Sequence, residues 1–542
     1  MKRSTTIWKK SIIPLLVFFL SFSGLAQVNG SVAGNGQKPN IVLIYADDLG
    51  IGLLGHEGQK IIKTPHIDQL AKEGVRFTNA YSNMLCAPAR ASLITGLHDC
   101  HKQGFEITPG GFYKKISTGN YEQGQIEKIL NGALRPIPQN QVFLGQVAQE
   151  AGYITAQIGK LEWGFSTTDH QMKRHGWDRY YGYLDHVRAH GFYPPFLFED
   201  GKLVDIEGNT LANCGKSGEP ETPENFAERQ NREGKVQYSQ DLFMNKALDF
   251  ISTNKDRPFF LYFPTQLPHG PVAIPEIHPD FINDERLTPV EKEYASMVKM
   301  LDDNVGQIMQ KLKELKIDGE TLVIFTADNG HEIYYGQKGR VEKPYTNIKT
   351  GERFDDVDHK YYSHLSGDVF DGNGGRAGMK RSNLQGGIQV PLIVRWPAKI
   401  EAGSSNDGLV ANYDLLATMA EVTGFSKPFH TDGISFYEAL VGKSTEVGRE
   451  FVVYSSYTGP ALITDEGWKI RTDLNKQVFE LFFLPDDFKE ANDLSQQHPK
   501  KLKELKSRLL AACEGDLKNG HFTNRGSILK VARKKGKWTG GE

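Results

Sequence analysis

The sequence predicts an α/β protein: a large mixed, mostly parallel sheet flanked by helices, followed by a smaller C-terminal α+β domain. Three observations carry that expectation. Unbroken apolar runs recur along the chain, as in strands buried on both faces. Amphipathic helical stretches separate them. The last part changes to short strands gathered together before one final helix. The chain has 542 residues, enough for a large core. Its 64 basic and 66 acidic side chains nearly cancel, for a net charge of −2. No basic stripe interleaves with aromatic residues, so no nucleic acid partner is expected.

Taken in order, residues 1–26 read as a signal peptide. Lys2, Arg3, Lys9 and Lys10 precede the apolar run 12–20, and small residues follow up to Ala26. The run is short for a membrane span, and no lipid-carrying cysteine follows it. The expectation is a mature protein starting near Gln27, periplasmic or secreted, without a stable membrane anchor. Cys86, Cys100, Cys214 and Cys513 are sparse and lack zinc-type spacing. One disulfide is compatible with that spacing, and its pairing stays open.

Residues 38–408 form the expected catalytic domain. The run 40–46 reads as a strand ending at Asp47-Asp48. The run 154–159 ends at Lys160, 257–263 leads to Pro268-His269, and 321–326 ends at Asp328-Asn329. Helices are expected over 142–151 and 289–315, the second carrying Tyr294, Met297, Val298, Leu301, Val305, Ile308, Met309 and Leu312 on one stripe. In doubly wound sheets ligands collect beyond the carboxyl ends of the strands, and each of these four strands ends in a chemically useful polar residue. Residues 331–376 are polar, Gly-rich and aromatic, and read as a long surface insertion, either a candidate substrate loop or one with no functional task. The C-terminal domain, 409–524, opens with a helix over 409–423. Strands over 451–455, 461–464, 468–471 and 477–483 follow, then a helix over 500–513. Residues 525–542 are a basic, Gly-rich tail.

Asp47, Asp48, Asp328 and Asn329 are hard oxygen donors with no His or Cys in their pairs. That points to Ca²⁺ or Mg²⁺ rather than zinc. Turn chemistry after strands explains one such pair; two pairs at equivalent strand ends favour a metal. The stretch NMLCAPARASLITG, 83–96, places Pro88 in the first turn of a helix and Gly96 at its end. Cys86 and Arg90 then share a face, where a helix N-terminus and a guanidinium favour an anion.

LCAPARASLITG, 85–96, resembles the signature of the type I sulfatases of the alkaline phosphatase superfamily. Other stretches fall in family order: PNIVLIYADDLG at 39–50, TPHID at 64–68, GY at 152–153 through GK at 159–160, PHGP at 268–271 and TADNG at 326–330. So do Lys380 through GGIQVP at 386–391, TDGIS at 431–435, WK at 468–469 and ELF at 480–482. The resemblance implies an alkaline phosphatase-like fold and conversion of Cys86 to Cα-formylglycine by a formylglycine-generating maturation enzyme. The hydrated aldehyde attacks sulfur with one oxygen, and its second hydroxyl later expels sulfate, which splits one hard step into two. The resemblance further implies one Ca²⁺ held by Asp47, Asp48, Asp328, Asn329 and the converted Cys86. Arg90 would steady the nucleophile, Lys160 and Lys380 bind sulfate oxygens, and His269 protonate the leaving alkoxide. The implied substrate is a sulfated carbohydrate.

One position departs from the family. GKWH is replaced by GKLEWG, 159–164, so the histidine that assists sulfate release is missing. A stretch resembling that of a family branch, LDHVRAH at 184–190, precedes FYP at 192–194. Glu162, His186 or His190 is the expected substitute, against an equal reading of a solvated Glu162 and structural histidines. Arg188, His190, Arg376 and Arg381 are candidate contacts to sugar or a neighbouring anion, or surface charges. Two other functions remain open. One is a phosphate ester hydrolase of the same superfamily, against which Cys86 weighs. The other is a non-catalytic glycan-binding pseudoenzyme, supported by Glu162 alone.

Overall fold

The run NIVLIYA becomes strand β1 (Asn40–Ala46), buried along its whole length. Val42, Ile44 and Ala46 enter one hydrophobic cluster, and Ile41, Leu43 and Tyr45 enter another. The sheet therefore separates two cores, which is why its central strands are apolar at every position. The computed structural model describes residues 38–522 except 106, 109, 133, 135–139, 219–221, 336–340, 343–345 and 348–359, together with Leu25–Ala26. The rest of the expected signal peptide and the tail 525–542 lie outside the described residues.

Nine further strands join β1: β2 (Val75–Tyr81), β3 (Ile154–Lys160), β4 (Arg179–Tyr183), β5 (Phe196–Glu199), β6 (Lys202–Asp205), β7 (Phe259–Pro264), β8 (Thr321–Ala327), β9 (Leu392–Arg395) and β10 (Ser404–Ala411). Their order is β10-β2-β9-β8-β1-β7-β3-β4-β5-β6. Only β9 and β5 run against the rest, so the sheet is mixed and mostly parallel as expected. Ala46 pairs with Ala327 and Tyr45 with Pro264, so Asp47, Asp328 and the turn leading to His269 leave the sheet side by side.

Among the helices are α1 (Pro65–Glu73), α2 (Cys86–Thr95), α3 (Leu144–Glu150), α4 (Ser239–Asn254) and α5 (Pro289–Glu314). Helix α5 starts with Pro289 behind a Thr288–Glu291 capping box, and Tyr294, Met297, Val298, Leu301, Val305, Ile308 and Leu312 enter one core.

Two expectations are corrected. The helix expected over 409–423 begins only at Asp414, as α6 (Asp414–Thr423). Leu409, Val410 and Ala411 instead finish β10, pairing with Asn79, Ala80 and Tyr81. Asp414 closes the strand by accepting the Ala411 N–H at 2.8 Å. The boundary expected at 408/409 thus falls inside a strand of the central sheet. The segment 331–376 is no plain surface insertion: His331, Ile333, Tyr335 and Phe370 are buried. Its aromatic residues pack on α5, where Tyr294 Oη lies 3.1 Å from His331 Nδ1. No helix among the described residues is long and apolar enough to cross a membrane.

The smaller C-terminal sheet is antiparallel, in the order β11 (Phe451–Tyr454), β12 (Ala461–Thr464), β13 (Trp468–Asp473), β14 (Val478–Phe483). One face packs on α7 (Pro499–Ala512) through Leu505 and Leu509. The other face brings Val452, Tyr454, Ile463 and Phe482 against Met84, Leu85 and Cys86.

His101 ties these parts together. Its Nε2 lies 2.7 Å from Asp432 Oδ2 and its Nδ1 2.7 Å from Glu514 Oε1, beyond the end of α7. Burial opposes its charge, but Asp432 and Glu514 outweigh that and hold it up at about 9. A raised histidine stabilises fully below its unfolded value, about 6.5, and loses that contribution as pH rises through its folded value. His101→Gln is therefore expected to lower the thermal midpoint by about 2–4 °C at pH 6, with the gap closing above pH 9. Melting curves across that range test it.

Candidate active site

Helix α2 presents Cys86 as its first residue, after Leu85 in extended conformation. Pro88 sits in the first turn, where no intrahelical N–H bond is lost. Gly96 ends the helix at φ 69°, and a Cβ there would come within 2.5 Å of Thr431 Oγ1. All ten residues of α2 are buried. Arg90, one turn behind Cys86, donates to Asp328 Oδ2 at 3.0 Å and lies 3.6 Å from Asp47 Oδ2. Its guanidinium also stands over the Tyr45 ring.

Two ammonium groups complete the cluster. Lys160, at the end of β3, donates to Asp47 Oδ2 at 2.6 Å. Lys380 donates to Asp48 Oδ2 at 2.7 Å and stands 3.0 Å from His269 Nε2. The turn carrying Lys380 is tied to the segment that leads into α2 by the Arg381 N–H, which donates to Met84 O at 2.6 Å. Asp48 and Arg381 both hold positive φ, 63° and 79°, an unfavourable conformation kept by the contacts around them. The Asp48 N–H donates to Asp328 Oδ1 at 3.0 Å, and Asn329 Nδ2 donates to Asp48 Oδ1 at 2.7 Å.

The donor atoms of Asp47, Cys86 and Asp328 lie within 4.8 Å of one another, as do those of Asp47, Asp48 and His269. Asp47 Oδ1 and Asn329 Oδ1 are buried and have no hydrogen-bond partner. Orphaned hard oxygens beside buried carboxylates fit a Ca²⁺-type ion. Burial and the Asp47 charge push Asp328 well above the usual carboxylate range, although Arg90 pulls it down. Burial works the same way on Asp48, but Lys380, with Tyr334 and Asn329, wins and keeps it low. Burial raises the Cys86 thiol despite Lys160 and Lys380. As a plain thiol, then, Cys86 is no activated nucleophile. Burial, Lys380 and Lys160 hold His269 well below the ordinary histidine value, so it is neutral, with Nδ1 donating to Gly270 O.

Cys86, Arg90, Lys160, His269, Lys380, Asp47, Asp48, Asp328 and Asn329 are thus brought together. His190 joins them, its ring stacked on His269 at 4.3 Å and 14°. His186 lies near: Nε2 meets Leu161 O at 2.9 Å, and Nδ1 is buried without a partner. Four expected residues are engaged elsewhere, and Glu162 is buried, not solvated. Glu162, at φ 59°, gives one oxygen to His175 Nδ1 at 2.6 Å and the other to Trp177 Nε1. Arg188 turns onto the Phe196 ring at 3.8 Å and donates to Phe196 O. Arg376 donates to Gln389 Oε1 at 2.6 Å and bonds the carbonyls of its own loop. Arg381 pairs with Glu332. Tyr334 was absent from the sequence reading; its hydroxyl reaches both Asp48 and Lys380. The only signal for it was its place four residues after Asp328-Asn329-Gly330.

The sulfatase family profile matches residues 39–425, well over half of the chain. The chain belongs to the sulfatase family. It is a type I sulfatase of the alkaline phosphatase superfamily, a hydrolase of sulfuric esters. A second profile, N-sulphoglucosamine sulphohydrolase C-terminal, matches residues 378–514. The sulfatase is 27% identical to an N-acetylgalactosamine-6-O-sulfatase of Bacteroides thetaiotaomicron, over 92% of this chain and 98% of that one. A structure from work on the metabolism of multiple glycosaminoglycans by Bacteroides thetaiotaomicron superposes with a TM-score of 0.64. It is 26% identical and covers 88% of this chain and 100% of its own. Ps i-CgsB, solved in complex with k-i-k-neocarrahexaose, superposes with a TM-score of 0.65 at 25% identity, over 92% and 98% of the two chains.

The position of Glu162 has a consequence for stability. Removing a buried carboxylate that satisfies two buried donors costs about 2–4 kcal/mol. Glu162→Ala is expected to lower unfolding free energy by that amount, read by denaturant titration. A variant of unchanged stability with lost turnover would instead return Glu162 to the chemistry.

Proposed function

We propose that this sulfatase hydrolyses sulfate esters of glycans outside the cytoplasm, with a formylglycine made from Cys86 and one calcium ion. The observation that carries the reading is the head of α2. Cys86 stands beside Asp47 and Asp328, two acceptor oxygens there lack partners, and Lys160 and Lys380 flank the group. Asp47, Asp48, Asp328 and Asn329 would hold the calcium ion, which polarises a sulfate oxygen when bound. Formylglycine supplies a hydrated aldehyde with two hydroxyls, one to attack and one to drive release. The named activities of the relatives and the carrageenan-type ligand of one neighbour support a sulfated glycan as substrate, with N-acetylgalactosamine 6-sulfate first among those to test. The basic, apolar and small-residue order of residues 1–26 supports a periplasmic or secreted enzyme.

The residues divide the work by position. Arg90 orients the nucleophile end of α2. Lys160 and Lys380 bind sulfate oxygens, whose charge grows as the ester bond breaks. Burial first, and then the Lys380 and Lys160 ammonium groups, keep His269 neutral; a sulfate between the ammonium groups cancels part of their field and favours a proton on His269 for the leaving oxygen. His186 and His190 divide likewise. Burial depresses both rings, Lys160 bears on both, and each keeps a buried ring nitrogen without a hydrogen-bond partner; what separates them is that His190 stacks on His269, on the leaving-group side. On this proposal His190 supports His269, which leaves His186 Nδ1 as the base in sulfate release. The pseudoenzyme reading loses its support, since Glu162 has a structural task.

The deciding experiment is mass spectrometry of the tryptic peptide 77–90 from protein made with and without a formylglycine-generating enzyme, followed by assay on sulfated galactose and N-acetylgalactosamine sugars. Conversion of Cys86 with sulfate release is the expected result, and Cys86→Ala should lower kcat/KM about a thousandfold or more. An unconverted thiol in the presence of a competent maturase would overturn the reading. His186→Ala should preserve the first-turnover burst of alcohol while slowing steady-state sulfate release about a hundredfold. Equal slowing of both phases would remove His186 from that role.

A further inference from the structure

We infer that Tyr334 is a positioning residue of the sulfatase centre: its hydroxyl holds the Asp48 carboxylate and the Lys380 ammonium in one register. The inference rests on the reading of Asp48 as a cation ligand and Lys380 as a sulfate-binding group.

The hydroxyl donates to Asp48 Oδ2 and accepts from Lys380 Nζ at 3.2 Å. An ammonium has three N–H donors. Those of Lys380 face Asp48 Oδ2, His269 Nε2 and Tyr334 Oη, so the phenol takes the place that neither Asp48 nor His269 fills. The ring is fixed as well as the hydroxyl. It is 9% exposed and lies 5.2 Å from the His269 ring. The bare Gly270 makes room for it, since a Cβ there would come within 2.1 Å of the Tyr334 ring. The hydroxyl of its neighbour Tyr335 turns away from Asp48 and Lys380, donating to Asp368 Oδ1 at 2.5 Å. A rigid phenol thus joins the carboxylate on one side of the centre to the ammonium on the other. Without its hydroxyl, Lys380 gains a free rotor and Asp48 loses a buried donor, while the packing stays intact.

Tyr334→Phe tests this, with Tyr335→Phe as the control for loss of a nearby buried hydroxyl. Partners one step removed from a metal or catalytic group typically change affinity or activity by about 10–100-fold when lost. For the matured enzyme, Tyr334→Phe is expected to lower kcat about tenfold or more on a substrate the wild type cleaves, with KM within about twofold. On the unmatured Cys86 protein, calorimetric titration with Ca²⁺ should show affinity weakened about tenfold. Its melting temperature should fall by no more than that of Tyr335→Phe, which loses a buried hydroxyl of the same kind yet should keep both kcat and Ca²⁺ affinity. Unchanged kcat and unchanged Ca²⁺ affinity in Tyr334→Phe overturn the inference, as does a loss that follows melting temperature equally in both variants. Should the matured wild type cleave no sulfate ester, the proposed function fails by itself, and the Ca²⁺ titration alone then decides for or against Tyr334.

Discussion

Three carboxylates from neighbouring strand ends are buried together, and the architecture around them exists to make that tolerable. Asp47, Asp48 and Asp328 are wholly buried, and the pairing of Ala46 with Ala327 leaves two of them no way to separate. Like charges this close in a low-dielectric setting repel strongly unless matched. The matching groups come from three distant parts of the chain: Arg90 from the first turns of α2, Lys160 from the end of β3, and Lys380 from a turn after the 331–376 segment. Parallel strands deliver the acids and Lys160, and the connections between strands deliver Arg90 and Lys380.

The smaller sheet takes part in that balance. Glu490 accepts the Gln385 N–H at 2.6 Å, and Arg471 donates to Asn383 Oδ1 at 3.2 Å. Asn383 in turn donates to Gly459 O, and Tyr454 donates to Tyr81 O at the end of β2. The turn that carries Lys380 is therefore framed by the C-terminal half of the chain. Lys469 and Glu490 form a buried ion pair at 2.6 Å behind it. Such a pair adds little net stability but fixes one geometry, because breaking it strands a buried charge.

The central sheet and most of the site were legible in the sequence because they obey local rules. An unbroken apolar run that ends in Asp-Asp or Asp-Asn announces both a buried strand and its polar outlet. The signature at 85–96 announced Cys86 and Arg90 together. What stayed hidden was set by tertiary packing. Leu409 to Ala411 look helical beside Asp414 to Thr423, yet β2 recruits them as a strand edge. Glu162 falls where the family places a histidine, but a left-handed backbone turns its carboxylate to His175 and Trp177. Arg188 looks like an anion contact until the aromatic pocket of Phe196 and Tyr183 claims it. Tyr334 gave no local signal beyond its place after Asp328-Asn329-Gly330, since its contacts are to groups 286 and 46 residues away.

The closure of α2 on every side sets a timetable. In the finished fold Cys86 is 2% exposed, and the residues before and behind it are covered by both sheets. The enzymatic conversion proposed for Cys86 would need that peptide accessible to a second protein, which the packed head of α2 does not offer. On that proposal, processing would come before the core closes, and only a small substrate would reach the site afterwards.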